Sequence, residues 1–342
     1  MDVSAFDIIV FGPIAAVCGV VLFWFIQLLG IESEKYLLNK MANDHEALIR
    51  FTNFIGLLFQ ALCHMFGFSV TRQGVGEFKI SVHYAKVKPR KEKKGLKVWL
   101  GNWFLFWGPF FLPPLVLVLY FLLLVDETIL MPSAEAVGFY SFGGQLIAFG
   151  ELLYAYTSEL MRFISTVDLL NPLHLGFILA LIFLGLGMRP SYIVDEKHKK
   201  IDMIHDLENI WNHIRGEPLY VFGFIVVLFA SFYLCLLAKS PLYIIIFSYL
   251  GWLSITAIVA IILAELVLLL ICLGDRVGRL RFLPWIVLVV SYLCCRIIFF
   301  LVKIPNDLTL SLVVMLVSVG LSVLILEGKL TNTFKSQKKL KH

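Results

Sequence analysis

Residues 240–264 read SPLYIIIFSYLGWLSITAIVAIILA, 25 positions without Asp, Glu, Lys or Arg. An α-helix needs about 20 predominantly apolar residues to cross the hydrocarbon core of a bilayer, and this stretch exceeds that. Five more charge-free stretches of similar length accompany it, at 8–31, 98–125, 169–188, 219–238 and 308–326. The composition agrees. Of 342 residues, 60% are hydrophobic and 15% charged, with a mean hydropathy of +0.88, whereas a soluble domain carries roughly 25% charged residues. The chain therefore reads as an all-α polytopic membrane protein, with the lipid bilayer as its primary partner.

Other classes drop out on the same evidence. The net charge of +5 is no nucleic-acid signature, because the basic residues sit in short loops beside apolar stretches. All six cysteines fall within apolar stretches, where a thiol behaves as a small hydrophobe; they form no disulfide framework. No Lys or Arg precedes the first span, which is also too long for the apolar region of a signal peptide. Residues 8–31 thus read as a transmembrane helix.

Lys and Arg cluster at 86–97, 189–200, 276–281 and 329–341. The positive-inside rule places all four on the cytoplasmic side, opposite an acidic loop containing Asp126, Glu127 and Glu135. Seven crossings satisfy this pattern: 8–31, 98–125, 169–188, 218–238, 241–274, 282–302 and 308–326. They put the N-terminus outside and the basic tail, 328–342, in the cytoplasm. Residues 51–71 lack charge but lie between two basic flanks, so they are expected to form a buried or re-entrant helix. Residues 136–167 read as an amphipathic helix on the outer interface, with Leu146, Phe149, Leu153, Tyr156, Leu160 and Phe163 at helical spacing. Within 189–216, residues 200–214 read as a helix whose histidines, His213 among them, are solvated. After Gly74 and Gly76 the chain alternates, with Phe78, Ile80, Val82 and Tyr84 on one face. That is a strand signature, a small β insertion at 74–88.

The most informative stretch is FIGLLFQALCHMFG, residues 54–67. Gln60 and His64 lie four apart and project from one helix face. In an H-E-x-x-H site this spacing puts two imidazoles on one zinc, with the Glu as general base. In order as well as motif the chain resembles the membrane-embedded zinc metalloproteases of the site-2 protease type, the M50 class. A first transmembrane helix is followed by the helix ending Leu62-Cys63-His64-Met65-Phe66-Gly67. Next come the glycine-punctuated strand, a helix opening Gly108-Pro109, and a later helix entered through Asp168-Leu169-Leu170-Asn171-Pro172. The resemblance covers a core of residues 1–215. The four-helix region at 217–327 lies outside it.

That resemblance implies an intramembrane peptide hydrolase with His64 as second histidine, Gln60 where the first belongs and Ala61 where the glutamate belongs. Asp168 stands for the distant carboxylate ligand, without the usual Leu-Asp-Gly setting. In an active form zinc would sit among these three ligand positions; as written the expectation is no zinc, since Gln is a poor ligand and Ala61 cannot take a proton from water. Either the chain is a natural pseudoprotease, or Gln60 and Ala61 replace the residues of an active enzyme. Transmembrane or extended peptides are the expected substrates, captured by strand addition at Phe78, Ile80, Val82 and Tyr84. Plainer roles stand beside these: Gln60 and His64 as interhelical hydrogen-bonding groups, and Asp168 as a helix cap ahead of Pro172. Glu265 and Arg296 are ionisable residues within apolar spans, where charges usually pair, and a salt bridge between them is expected. The alternative functions are a transporter or channel with a polar path through Gln60, His64, Asp168 and Glu265, and a non-catalytic membrane scaffold.

Overall fold

The computed structural model describes residues 5–41, 44–81, 85–91, 95–125, 137–188, 203–277, 280 and 282–339. Among them a π-helical turn, Asp7–Phe11, leads into α1 (Gly12–Met41), followed by α2 (Glu46–Val70), β1 (Val75–Ile80) and β2 (Ala85–Pro89). Then come α3 (Leu96–Leu124), α4 (Phe142–Ser165), α5 (Pro172–Leu186), α6 (Met203–Gly216) and α7 (Pro218–Leu237). The chain ends with α8 (Leu242–Val277), α9 (Leu283–Val302) and α10 (Asp307–Lys339). Seven helical segments among the described residues are long and apolar enough to cross a membrane. The protein is an integral membrane protein of all-α class with a small β insertion.

Two helices differ from expectation, the one expected to be buried or re-entrant at 51–71 and the crossing expected at 169–188. The helix over 51–71 begins earlier, at Glu46, and runs 25 residues, about 37 Å at 1.5 Å per residue. It ranks among the seven long apolar helices, because Glu46 and Arg50 form an ion pair within its first turns instead of terminating it. By contrast, the stretch at 169–188 yields only the 15 residues of α5, about 22 Å against a hydrocarbon core of about 30 Å. Its apolar run is cut at one end by turns at Asp168 and Asn171, and at the other by Gly187.

The chain divides into two compact units, residues 1–159 with 177–264, and 160–176 with 265–342. In the first, glycines bring helices into close contact, as they do where lipid offers no hydrophobic drive for association. A Cβ on Gly19 of α1 would lie 2.6 Å from the Phe149 ring of α4, and one on Gly251 of α8 would lie 2.8 Å from the same ring. Phe149, Leu153 and Tyr156 are buried. Phe149, Leu153 and Tyr156 of the apolar stripe of α4 are therefore packed between helices, while Leu146 of the same stripe stays exposed.

The fold also has to accommodate three prolines, Pro109, Pro113 and Pro114, inside α3. Pro114 has no N–H for the carbonyl of Phe110, four residues back. In hydrocarbon a freed carbonyl must find another donor. It does: the fully buried Gln27 of α1 donates its Nε2 to Phe110 O at 3.0 Å. Trp24, one turn before Gln27, stacks on Trp107 at 4.8 Å.

The alternating stretch is not one strand but an antiparallel hairpin, pairing Glu77 with Lys88, Phe78 with Val87, Lys79 with Lys86 and Ile80 with Ala85. Folding back lets the backbone groups of each strand satisfy those of the other, which a lone strand cannot do. Phe78 and Ile80 share a face as expected; Val82 and Tyr84 lie outside the described residues. In the second unit α9 and α10 pack together, joined by a turn with positive φ at Lys303 (56°) and Asn306 (58°).

Replacing Gln27 by Leu orphans the Phe110 carbonyl and should lower stability by about 1–3 kcal/mol. Pro114→Ala restores an N–H to that carbonyl within α3. Thermal unfolding in detergent should therefore show the double variant recovering a good part of the loss.

Candidate functional site

The region singled out by sequence sits on α2. Ala61 is fully buried, while Gln60 and His64 are half-buried one turn apart. His64 also approaches the Phe68 ring, centroids 5.9 Å apart. The neighbour of α2 is α3, and small residues set how near it comes. A Cβ on Gly108 would lie 2.7 Å from Cys63 Sγ, and one on Gly101 would lie 2.2 Å from Thr71 Cγ2. From the other direction, a Cβ on Gly187, just past the end of α5, would lie 2.3 Å from Ile55 Cγ2 and 3.4 Å from the Gly56 nitrogen. The glycine of the Gly108-Pro109 pair thus lies against α2 at Cys63, next to His64, and Gly187 lies against it near its middle.

The end of α2 is built to start the hairpin. Thr71 Oγ1 donates to Gly67 O at 2.8 Å and accepts from Gln73 Nε2 at 2.9 Å. The Gln73 and Gly74 amides then both donate to Phe68 O. Gly74 takes φ +68° there, a conformation glycine adopts at no steric cost. The ladder continues past the strands, with Arg90 N donating to Gly74 O at 2.9 Å and Lys91 N to Gln73 O at 3.2 Å.

Asp168 belongs to the other unit, and its polar atoms are committed there. Its Oδ1 accepts from Leu170 N at 3.0 Å and from Tyr292 OH at 3.2 Å, and its Oδ2 faces Arg296 Nη2 at 3.5 Å. Its own amide donates to His174 Nδ1 at 3.2 Å. The capping role falls to Asn171, whose Oδ1 accepts from Leu173 N at 3.0 Å just before Pro172; Asp168 closes the preceding turn.

Arg296 has its other hydrogen bond to Asp307, so the expected pairing with Glu265 is replaced by one with two aspartates. Its side chain is only 16% exposed, and Glu265 Oε1 is buried without a hydrogen-bond partner. Geometry explains the choice. Arg296 stands six residues, about 9 Å, from the end of α9, and a long side chain extends toward the nearer polar end. There Asp307 opens α10 and Asp168 opens the approach to α5. Tyr292, one turn before Arg296, holds the same loop by also accepting from Leu169 N at 3.0 Å.

A second polar group escaped the sequence reading. His213 of α6 is half-buried against aromatic rings rather than fully solvated. Its ring stacks on Trp99 at 5.3 Å and 16°, meets Trp103 edge-on at 5.2 Å, and lies 5.2 Å from Phe106. Burial holds its pKa below the ordinary 6.5, outweighing the Trp99 backbone and the Glu217 charge, which both pull it upward. The available signal was the spacing of Trp99, Trp103 and Trp107 at four-residue intervals along one face of α3.

Zinc would require three donors in one place. Gln60 and Ala61 leave α2 a single imidazole, Asp168 is held by Arg296 and Tyr292, and among the described residues no group of three or more His, Cys, Asp or Glu could hold a metal. Among the described residues, those at the expected ligand positions do not fit a zinc centre. No protein-family model, curated protein or solved structure matches this chain.

Two outcomes follow from these contacts. A double-mutant cycle between Arg296→Gln and Asp307→Asn should give a coupling of about 1–3 kcal/mol, whereas Arg296→Gln and Glu265→Gln should add to within about 0.5 kcal/mol, both read from thermal unfolding. A histidine held below its ordinary value binds fewer protons folded than unfolded, so stability rises with pH across that interval. The packing of α6 should be intact above about pH 6.5 and weaken as pH falls below it. Hydrogen exchange corrected for intrinsic rates should show faster opening of residues 203–216 at acid pH in the wild type, and a pH-independent rate in His213→Phe.

Proposed function

We propose that this integral membrane protein shares the architecture of the site-2 protease type, with a silent hydrolytic centre, and holds extended or transmembrane peptides without cutting them. The observation that carries this reading is the local assembly around α2. A helix with Gln60 and His64 on one face is clasped by Gly108 of the Gly108-Pro109 pair and runs directly into a β-hairpin. That is the order of parts the resemblance requires, now also neighbours in space. The chemistry is absent because Ala61 offers no base. A general base typically contributes about 10²–10⁴-fold, and Gln60 in place of an imidazole weakens metal retention besides.

Peptide binding falls to the hairpin. Two strands leave two outer edges, and an extended segment can add to either by backbone hydrogen bonds with little demand on its sequence. Phe78, 45% exposed, and Ile80 would then contact alternate side chains of the captured segment.

The test is metal content of the purified protein as written, of Gln60→His/Ala61→Glu, and of that variant with His64→Ala added. Near-stoichiometric zinc in the restored double variant, absent from the other two, is the expected result. A folded double variant without zinc would overturn the reading and put a transporter or scaffold in its place.

A further inference from the structure

The hairpin carries a second surface that peptide capture does not use. Its register puts Glu77, Lys79, Lys86 and Lys88 on one face and Phe78, Ile80 and Val87 on the other. The polar face is unbalanced. Lys79 and Lys86 stand directly opposite each other, a like-charge pairing that disfavours a strand pair. Glu77 is the acid between them, 3.5 Å from Lys79 Nζ and 3.1 Å from Lys86 Nζ. The Lys86 hydrogen bond, with Lys79 adding to it, holds the Glu77 carboxyl below its ordinary value. One carboxylate cannot neutralise the set. Arg72, Lys88, Arg90 and Lys91 are also exposed, and residues 71–97 hold nine Lys and Arg against Glu77 and Glu92.

Position restricts what can supply the missing negative charge. Four residues join Val70 of α2 to Val75, and six join Pro89 to Leu96 of α3. Val70 ends one candidate membrane span and α3 runs into another from Phe106, so both ends of the hairpin continue into helices that carry candidate spans. A two-stranded hairpin alone is at best marginally stable in water. This one has an apolar face with Phe78 largely uncovered and a basic face opposite. That is the strand counterpart of an interfacial amphipathic helix, whose apolar side enters the acyl boundary and whose Lys and Arg meet lipid phosphates.

We propose that the 75–89 hairpin is a binding surface for anionic phospholipids. On its basic face Lys79, Lys86, Lys88 and Arg90 engage lipid phosphates and thereby relieve the repulsion between Lys79 and Lys86. The proposal rests on the hairpin alone and stands independently of any protease ancestry.

The experiment uses the full chain reconstituted in mixed phosphatidylcholine and phosphatidylglycerol bilayers, with lipid adducts counted by native mass spectrometry. The wild type should retain phosphatidylglycerol over phosphatidylcholine. Lys79→Gln/Lys86→Gln/Lys88→Gln/Arg90→Gln should lose that enrichment by roughly tenfold or more, each basic residue near an anionic surface being worth about fivefold. Lys329→Gln/Lys335→Gln/Lys338→Gln/Lys339→Gln, in the tail, should keep it. Should the hairpin variant fail to fold, salt supplies the readout on the wild type: enrichment should fall as ionic strength rises. Equal enrichment in a folded hairpin variant, equal loss in the tail variant, or enrichment indifferent to salt would each overturn the proposal.

Discussion

A carbonyl released inside a membrane helix must be given a donor, and here that constraint organises the first unit. Pro114 frees the Phe110 carbonyl, and Gln27 from α1 answers it. With that bond in place the register of α1 against α3 is set, Trp24 stacks on Trp107, and α3 presents Gly101 and Gly108 to α2. The helix carrying Gln60 and His64 is thus positioned by a proline three turns from Trp103. Water would have satisfied that carbonyl in a soluble protein, and hydrocarbon does not.

Charges obey the same economy. Arg296 is tolerated near a span because Asp168 and Asp307 both reach it, and the loop before α5 is tied to the turn before α10 as a result. A partly buried guanidinium stripped of its partners costs far more than the pair contributes, which makes this cluster a specifying contact of the second unit. The hairpin takes the opposite course. It keeps its cationic side chains exposed, with Glu77 as the acid between Lys79 and Lys86.

His213 illustrates how aromatic rings replace water for a polar group. Trp99, Trp103 and Phe106 enclose the imidazole, and its Nε2 is buried without a hydrogen bond. The neutral ring suits this enclosure because burial costs the cation more hydration than the Trp99 backbone and the Glu217 charge return. A helix of strongly polar composition is thereby anchored to a membrane helix through one ring.

The sequence alone determined that this is a polytopic, all-α membrane protein with a β insertion after residue 74. Spans are legible because crossing a bilayer depends on a sum of local terms, the length of an apolar run and the absence of charge. Strand alternation is local too, so Phe78 and Ile80 were placed on one face correctly, while the reversal that makes a hairpin was not visible in period-2 pattern. Tertiary structure decided the partners. The tendency of charges within spans to pair joined Arg296 with Glu265, but the guanidinium turned to Asp168 and Asp307, which lie 128 and 11 residues away in the chain. It decided that α2 is long and α5 short, that α4 is packed among helices, and that Gln27, never conspicuous in an apolar run, holds α1 to α3. Each of these depends on which side chain a distant backbone brings within about 3 Å, and a one-dimensional pattern of hydropathy and charge contains no such distance.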